Sequence, residues 1–165
     1  MAAVHTITPF LWFNDTAEEA VAFYTGVFPN SRVVQVVRWG EAGKEHHGRT
    51  PGSALTVAFE LNGVTFTAMN GGPMYQFSPA VSFVVHCDTQ AEIDHYWEKL
   101  GAGGDPAAQA CGWLKDKYGL SWQIIPRTFP AMISDLESPA AGRVMGAMMG
   151  MKKLDQAALA AASAG

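Results

Sequence analysis

The chain has 165 residues, 48% apolar and 16% charged, with a formal net charge of −4. That suits one compact domain, or two half-domains sharing a core, and the acidic balance without any basic cluster excludes nucleic acid as the expected partner. No apolar run approaches the ~20 residues that cross a bilayer, so no membrane partner is expected either.

Met1-Ala2-Ala3-Val4-His5 carries neither the charged nor the apolar region of an export signal, so a cytoplasmic protein is expected. Cys87 and Cys111 are too few for a disulfide framework, and neither sits in a CxxC pair. They are expected as reduced thiols, without structural zinc.

Ile7 to Phe13 is apolar and aromatic, as a buried strand requires. Thr16-Ala17-Glu18-Glu19 has the spacing of a capping box, and Ala20, Phe23, Tyr24 and Val27 follow at helical intervals up to Pro29-Asn30. Val33 to Trp39 is β-rich, and the glycine-rich stretch Gly40 to Gly52 reads as a mobile loop. Ala54 to Leu61 and Val64 to Met69 are strands joined at Asn62-Gly63, a strong short hairpin signal. Asn70-Gly71-Gly72-Pro73 breaks the sheet and opens a linker that runs to about Pro79.

Ala80 to Cys87 then reads as a strand, and Thr89-Gln90-Ala91-Glu92 as a second capping box ahead of Ile93, Tyr96, Trp97 and Leu100. Gly101 to Ala110 is loop-like. Gly112 to Lys115 and Leu120 to Ile125 are strands around Tyr118-Gly119, and Pro126 ends the regular pattern. The tail is helical, with methionines of the kind that fill irregular gaps in a core.

The chain repeats itself. Asp15-Thr16, Glu19 and Phe23-Tyr24 are matched by Asp88-Thr89, Glu92 and Tyr96-Trp97. Leu61-Asn62-Gly63-Val64-Thr65-Phe66 is matched by Lys117-Tyr118-Gly119-Leu120-Ser121-Trp122. Two such modules are expected to pack as partners, with a small ligand in the groove between them. The boundaries read as module one at 5–70, a linker at 71–79, module two at 80–126 and a helical tail at 127–165, all within one domain.

On Thr16 to Tyr24 with Phe28-Pro29, Asn70-Gly71-Gly72-Pro73 and the long block from Cys111 to Pro126, the chain resembles the vicinal oxygen chelate (glyoxalase/bleomycin resistance/dioxygenase) superfamily. It more closely resembles the PhnB-like branch, which often carries the label 3-demethylubiquinone-9 3-methyltransferase. Arg143-Val144-Met145 and Met151-Lys152-Lys153 also fit. The resemblance implies an α+β glyoxalase-like fold of two βαβββ modules with paired sheets, and a homodimer. The label's methyl transfer would call for a Gly-rich strand-to-helix turn in a parallel sheet, and Gly71-Gly72-Pro73 does not fit that pattern.

Metal-using relatives carry His, Gln or Glu on the first and last strands of each module. Carried over, those places fall at Thr8, Thr67, Val81 or Ser82, and Gln123. Only Gln123 is a plausible ligand, so no metal and no cofactor are expected. Adjacent His46 and His47 on an extended loop would point apart, which makes a poor chelate.

Strand alternation turns Thr8, Phe10 and Trp12 toward the ligand cup and Leu11 and Phe13 toward the core. In the last strand Trp122 and Ile124 face the helix, with Gln123 toward the cup. In the opening strand of module two, Val81, Phe83, Val85 and Cys87 read as core, and Ser82, Val84 and His86 as cup. The leading expectation is a binding protein for a small molecule, anchored by Gln123 and lined by Trp12, Phe10, Thr67, Thr8, His86 and Ser82. The alternative is a metal-assisted enzyme of the same superfamily.

Overall fold

The structure is a computed structural model that describes residues 7–165, apart from the side chain of His47. The module boundary at residue 5 and the reading of the N-terminus fall outside the described residues. The fold is α+β, as expected, and the chain divides into two compact units between Gln76 and Phe77, within the linker. Each unit is described by itself.

The first unit runs β1 (Phe10–Phe13), α1 (Ala17–Val27), β2 (Arg32–Arg38), α2 (Lys44–His47), β3 (Ala54–Leu61) and β4 (Val64–Asn70). Its sheet has the order β1-β4-β3-β2, with β1 parallel to β4 and the other pairs antiparallel. The period-2 pattern predicts which face is covered. Leu11, Phe13, Val57, Phe59, Phe66 and Ala68 are buried on the side where α1 packs on β3 and β4. The β3–β4 turn uses Asn62 at φ 45° and Gly63 at φ 82°, the pair of left-handed residues a tight hairpin needs.

The first capping box does not form. Thr16 sits at φ −104°, ψ 16° and makes no side-chain cap bond. The cap comes instead from across the sheet, where Asn70 Oδ1 accepts from the Ala17 N–H at 2.8 Å. Asn70 Nδ2 donates to the Ala54 carbonyl at 3.0 Å, so this buried amide ties helix, β3 and β4 together. The loop from Gly40 to Gly52 also differs from an extended segment. It contains the helical turn α2, and its base is closed by Trp39 N–H to Ser53 O and Gly52 N–H to Trp39 O.

The second unit runs β5 (Ser82–Cys87), α3 (Gln90–Gly101), a 3-10 turn (Pro106–Ala108), β6 (Trp113–Lys115) and β7 (Ser121–Pro126), followed by α4 (Phe129–Met132), α5 (Pro139–Met149) and α6 (Gln156–Ala164). Its sheet has the order β5-β7-β6, and its opening and closing strands are parallel, as in the first unit. The second copy is shorter by a strand. Where the first unit has β2, the second has the 3-10 turn and a single bridge between Ala110 and Trp113. Gly101-Ala102-Gly103-Gly104-Asp105-Pro106 offers no alternating apolar side chains, and Asp105 caps the turn by accepting from the Ala107 N–H at 2.9 Å.

The second capping box does form. Thr89 Oγ1 accepts from the Glu92 N–H at 3.2 Å, and Glu92 accepts from the Thr89 N–H at 3.1 Å. The block from Cys111 to Pro126 is organised around the buried carboxylate of Asp116. It accepts from the Tyr118 N–H (2.9 Å), the Leu120 N–H (3.0 Å) and Trp122 Nε1 (2.8 Å), which shapes the turn through Gly119 at φ 88°.

The tail has its own core of Phe129, Val144, Leu154 and Leu159. Met132, Met145, Met148 and Met151 pack around it, the gap-filling use expected of them, while Met149 is 69% exposed. The tail is tied back at α3 by Lys153 Nζ to Asp94 (2.6 Å) and by Gln90 Nε2 to the Leu154 carbonyl (3.2 Å). It is tied near β6 by Cys111 N–H to Met151 O and Gly112 N–H to Lys152 O, both 2.8 Å.

Candidate functional site

In the second unit, parallel pairing sets Val84 beside Gln123, and antiparallel pairing sets Trp113 on its other side. Residues opposed across a sheet share a face, so Val84, Gln123 and Trp113 form a row across the three strands. Ser82 and His86 flank Val84 on the same face of β5, and Ile125 lies beside His86. The other face carries Trp122, Ile124, Leu114 and Cys87, all buried. Burial pushes the Cys87 thiol up to about 11, with help from the Glu92 and Asp88 carboxylates, so it stays protonated and unreactive at neutral pH.

Gln123 and Ser82 meet directly. Gln123 Nε2 donates to Ser82 Oγ at 2.9 Å. Because that bond uses Ser82 as acceptor, the serine O–H remains a donor, and the Gln123 Oε1 carbonyl is an acceptor without a partner among the described residues. A half-buried donor and acceptor therefore stand side by side, next to Val84, which is 42% exposed, and the half-buried Trp113 indole. Trp113 was not among the residues singled out from sequence. Its position opposite Gln123 depends on the β6–β7 register, although its alternation with buried Leu114 was a legible signal.

Two sequence-based assignments on β5 need correction. The strand begins at Ser82, not Ala80, and Val81 is 65% exposed instead of belonging to the core. Val81 precedes the β5–β7 register, which starts at Ser82.

In the first unit, Phe10 pairs with Thr67 and Trp12 with Met69 on the sheet face opposite α1. Phe10 is 58% exposed and Thr67 half-buried, while Thr8 stands exposed just before β1. Trp12 is engaged within its own unit. Its Nε1 donates to the Gly72 carbonyl at 2.8 Å, and Tyr75 meets the ring edge-on with centroids 5.0 Å apart. A Cβ at Gly71 would fall inside the indole, far within the 3.0 Å that real Cβ contacts respect. The glycine pair that opens the linker thus gives Trp12 its seat.

Of the ligand positions that the resemblance implies, the first unit holds Thr8 and Thr67 and the second unit holds Val81 or Ser82 and Gln123, none of them a carboxylate, imidazole or thiolate. Hard divalent ions want carboxylates, and borderline ions want imidazole or thiolate. In the second unit Gln123 and Ser82 bond to each other, and an amide paired with an alcohol does not fit a resident metal. Among the described residues no group of three His, Cys, Asp or Glu side chains is placed to hold an ion, and no helix is long and apolar enough to cross a membrane. His46 is exposed beside Glu45 on α2.

Residues 5–125 match the sequence pattern of a family described as 3-demethylubiquinone-9 3-methyltransferase. The tail beyond Ile125, including the two motifs at 143–145 and 151–153, lies outside that match. No curated protein matches the chain. Among solved structures, the PhnB protein of Bacillus cereus, which bears the same methyltransferase name, is 36% identical. The alignment covers 74% of this chain and 99% of that one, with a TM-score of 0.64. The fosfomycin resistance protein FosX of Mesorhizobium loti is 18% identical over 74% of this chain and 91% of its own, with a TM-score of 0.50. FosX of Listeria monocytogenes is 15% identical over 74% and 90%, with a TM-score of 0.51. At these identities the FosX proteins speak to fold alone.

Proposed function

We propose that this chain, which belongs to the 3-demethylubiquinone-9 3-methyltransferase family, the PhnB-like branch of the vicinal oxygen chelate superfamily, is a binding protein for a small organic molecule and works without a resident metal. The observation that carries this reading is the Gln123–Ser82 pair. A half-buried amide that spends its N–H on a serine leaves its carbonyl, and the serine's own O–H, for something else. A ligand with a hydroxyl beside a carbonyl would satisfy both, while Trp113 and Val84 cover its apolar part. Losing such a buried polar contact costs about 1–3 kcal/mol, which is enough to make Gln123 decisive for affinity.

Native mass spectrometry of the purified protein, followed by thermal-shift titration of any molecule that co-purifies, tests this reading. At ~100 times its Kd a ligand adds about 2.7 kcal/mol of stability. In Gln123→Ala the apparent affinity should fall about 5- to 150-fold, and the gain at a fixed ligand concentration should shrink with it. Ligand binding that is indifferent to Gln123→Ala and Ser82→Ala would refute the reading.

A second reading, an enzyme of the same superfamily, draws on one further observation. His86 is exposed on the same face, one place beyond Val84, where an imidazole could carry a proton to or from a bound molecule. Turnover that is lost in His86→Gln with binding retained would favour it. Methyl transfer has less support, because neither sheet is a doubly wound parallel sheet with a Gly-rich turn for a nucleotide-derived donor. The same proposal takes the protein as a cytoplasmic homodimer, which light scattering on the purified chain tests.

A further inference from the structure

We propose that the chain carries a self-modification site: Asn62, at the tip of the β3–β4 hairpin, is converted by its neighbour Gly63 and by water into isoaspartate and aspartate. The same dipeptide occurs at both ends of β4, as Asn62-Gly63 and as Asn70-Gly71. The two copies stand in opposite surroundings, and those surroundings select the one that reacts.

The chemistry needs only water. The Gly63 amide nitrogen attacks Cγ of the Asn62 side chain and forms a C–N bond. The bond from Cγ to the side-chain nitrogen breaks, and ammonia leaves with the proton that the attacking amide gives up. Water then opens the five-membered imide at either carbonyl. Opening at the main-chain carbonyl reroutes the backbone through the side chain as isoaspartate, and opening at the other leaves aspartate. An amide is exchanged for a carboxylate either way, with no electron gained or lost. Glycine as the following residue favours the attack, because no Cβ crowds its nitrogen and the two groups sit in one short loop of chain. Asn14 and Asn30, the other asparagines, precede Asp15 and Ser31, whose side chains do crowd it.

At Asn62 nothing ties down the reacting groups. Asn62 and Gly63 are both exposed, and among the described residues neither the Asn62 side-chain amide nor the Gly63 N–H has a hydrogen-bond partner. Asn62 is held only through its own N–H, which donates to Ser31 Oγ at 3.1 Å. At Asn70 every reacting group is engaged. The side chain is buried, its Oδ1 accepts from the Ala17 N–H and its Nδ2 donates to the Ala54 carbonyl. The Gly71 N–H, which would attack, donates to the Phe13 carbonyl at 2.9 Å. Asn70 therefore reacts only when this part of the fold opens and these bonds break together. Conversion of Asn62 adds a negative charge at the exposed turn, and isoaspartate lengthens the main chain by a carbon in a hairpin built on two left-handed residues. The site uses no residue of the Gln123–Ser82 face and stands or falls independently of the ligand proposed there.

Peptide mapping by mass spectrometry tests the inference, on the full chain aged for days in mildly alkaline buffer with and without denaturing urea. In the folded protein the Asn62 site should yield two products of equal mass, one eluting with the peptide of an Asn62→Asp standard and the other its isoaspartyl isomer. Asn70 should react at least about tenfold more slowly than Asn62. In urea both sites should react at comparable rates, because there only the shared dipeptide matters. The inference is overturned if Asn62 stays intact in the folded protein, if Asn70 or Asn30 keeps pace with it there, or if the two Asn-Gly sites still differ as widely in urea.

Discussion

Replacing Asp116 with asparagine removes one charge and almost no volume, so its cost isolates what the carboxylate does. In the native fold its two oxygens accept from Tyr118 N–H, Leu120 N–H and Trp122 Nε1 at 2.8–3.0 Å. An asparagine has one acceptor oxygen and an NH₂ in place of the other. If the oxygen faces the two backbone groups, the NH₂ meets the Trp122 N–H donor to donor; if it flips, two backbone donors are left facing an NH₂. A hydrogen bond to a charged group is worth about 1.5–3 kcal/mol, and the neutral amide weakens the survivors, so the total cost is about 2–4 kcal/mol. For a chain of this length that lowers the melting temperature by about 5–10 °C. Urea unfolding followed by circular dichroism and tryptophan fluorescence measures it, in a double-mutant cycle with Trp122→Phe. The coupling between the two sites should be about 1–2 kcal/mol. An Asp116→Asn variant within about 0.5 kcal/mol of the parent, or strictly additive effects, would refute this account of the turn.

Gly71→Ala places a methyl where the Trp12 ring sits, so it should cost about 2–4 kcal/mol from overpacking and a lost indole bond, and Trp12→Leu in the same chain should recover part of that by equilibrium unfolding. Lys153 holds the Asp94 carboxyl below the ordinary carboxylate range, with Gln90 assisting. A lowered acid stabilises the fold above its unfolded pKa and loses that contribution as pH falls through the folded value. The difference in urea midpoint between parent and Asp94→Asn should therefore be present at neutral pH and shrink below the ordinary aspartate range near ~3.9. A difference that persists unchanged to pH ~2 would separate tail docking from this ion pair.

Much of the fold was legible because its signals are local. Alternation along four to eight residues decides which side chains of β1 and β7 turn inward, so Leu11, Phe13, Trp122 and Ile124 were identifiable as core from the sequence alone. Asn62-Gly63 and Thr89–Glu92 carry their own turn and cap chemistry within a few residues. The fully repeated βαβββ module was only half legible. The residues already read as a loop from Gly101 to Ala110, while the similar helix starts and closing hairpins argued for a fourth strand; the stretch after α3 lacks the alternating apolar side chains to build one.

What tertiary structure alone decided is the choice of partners. Both helix starts read as capping boxes, yet one forms and the other yields to Asn70, whose amide arrives from 53 residues away along β4. Gln123 was expected at the site from its strand position, but its bond to Ser82, 41 residues earlier, depends on β5 and β7 lying parallel in one register. Trp12 was expected to face a ligand, and it gives its N–H to Gly72, 60 residues on. Period and propensity act over one turn or a few strand residues, so they set which face a side chain takes. A hydrogen bond joins groups that only the folded sheet brings within 3 Å of each other, so no short-range pattern encodes its partner.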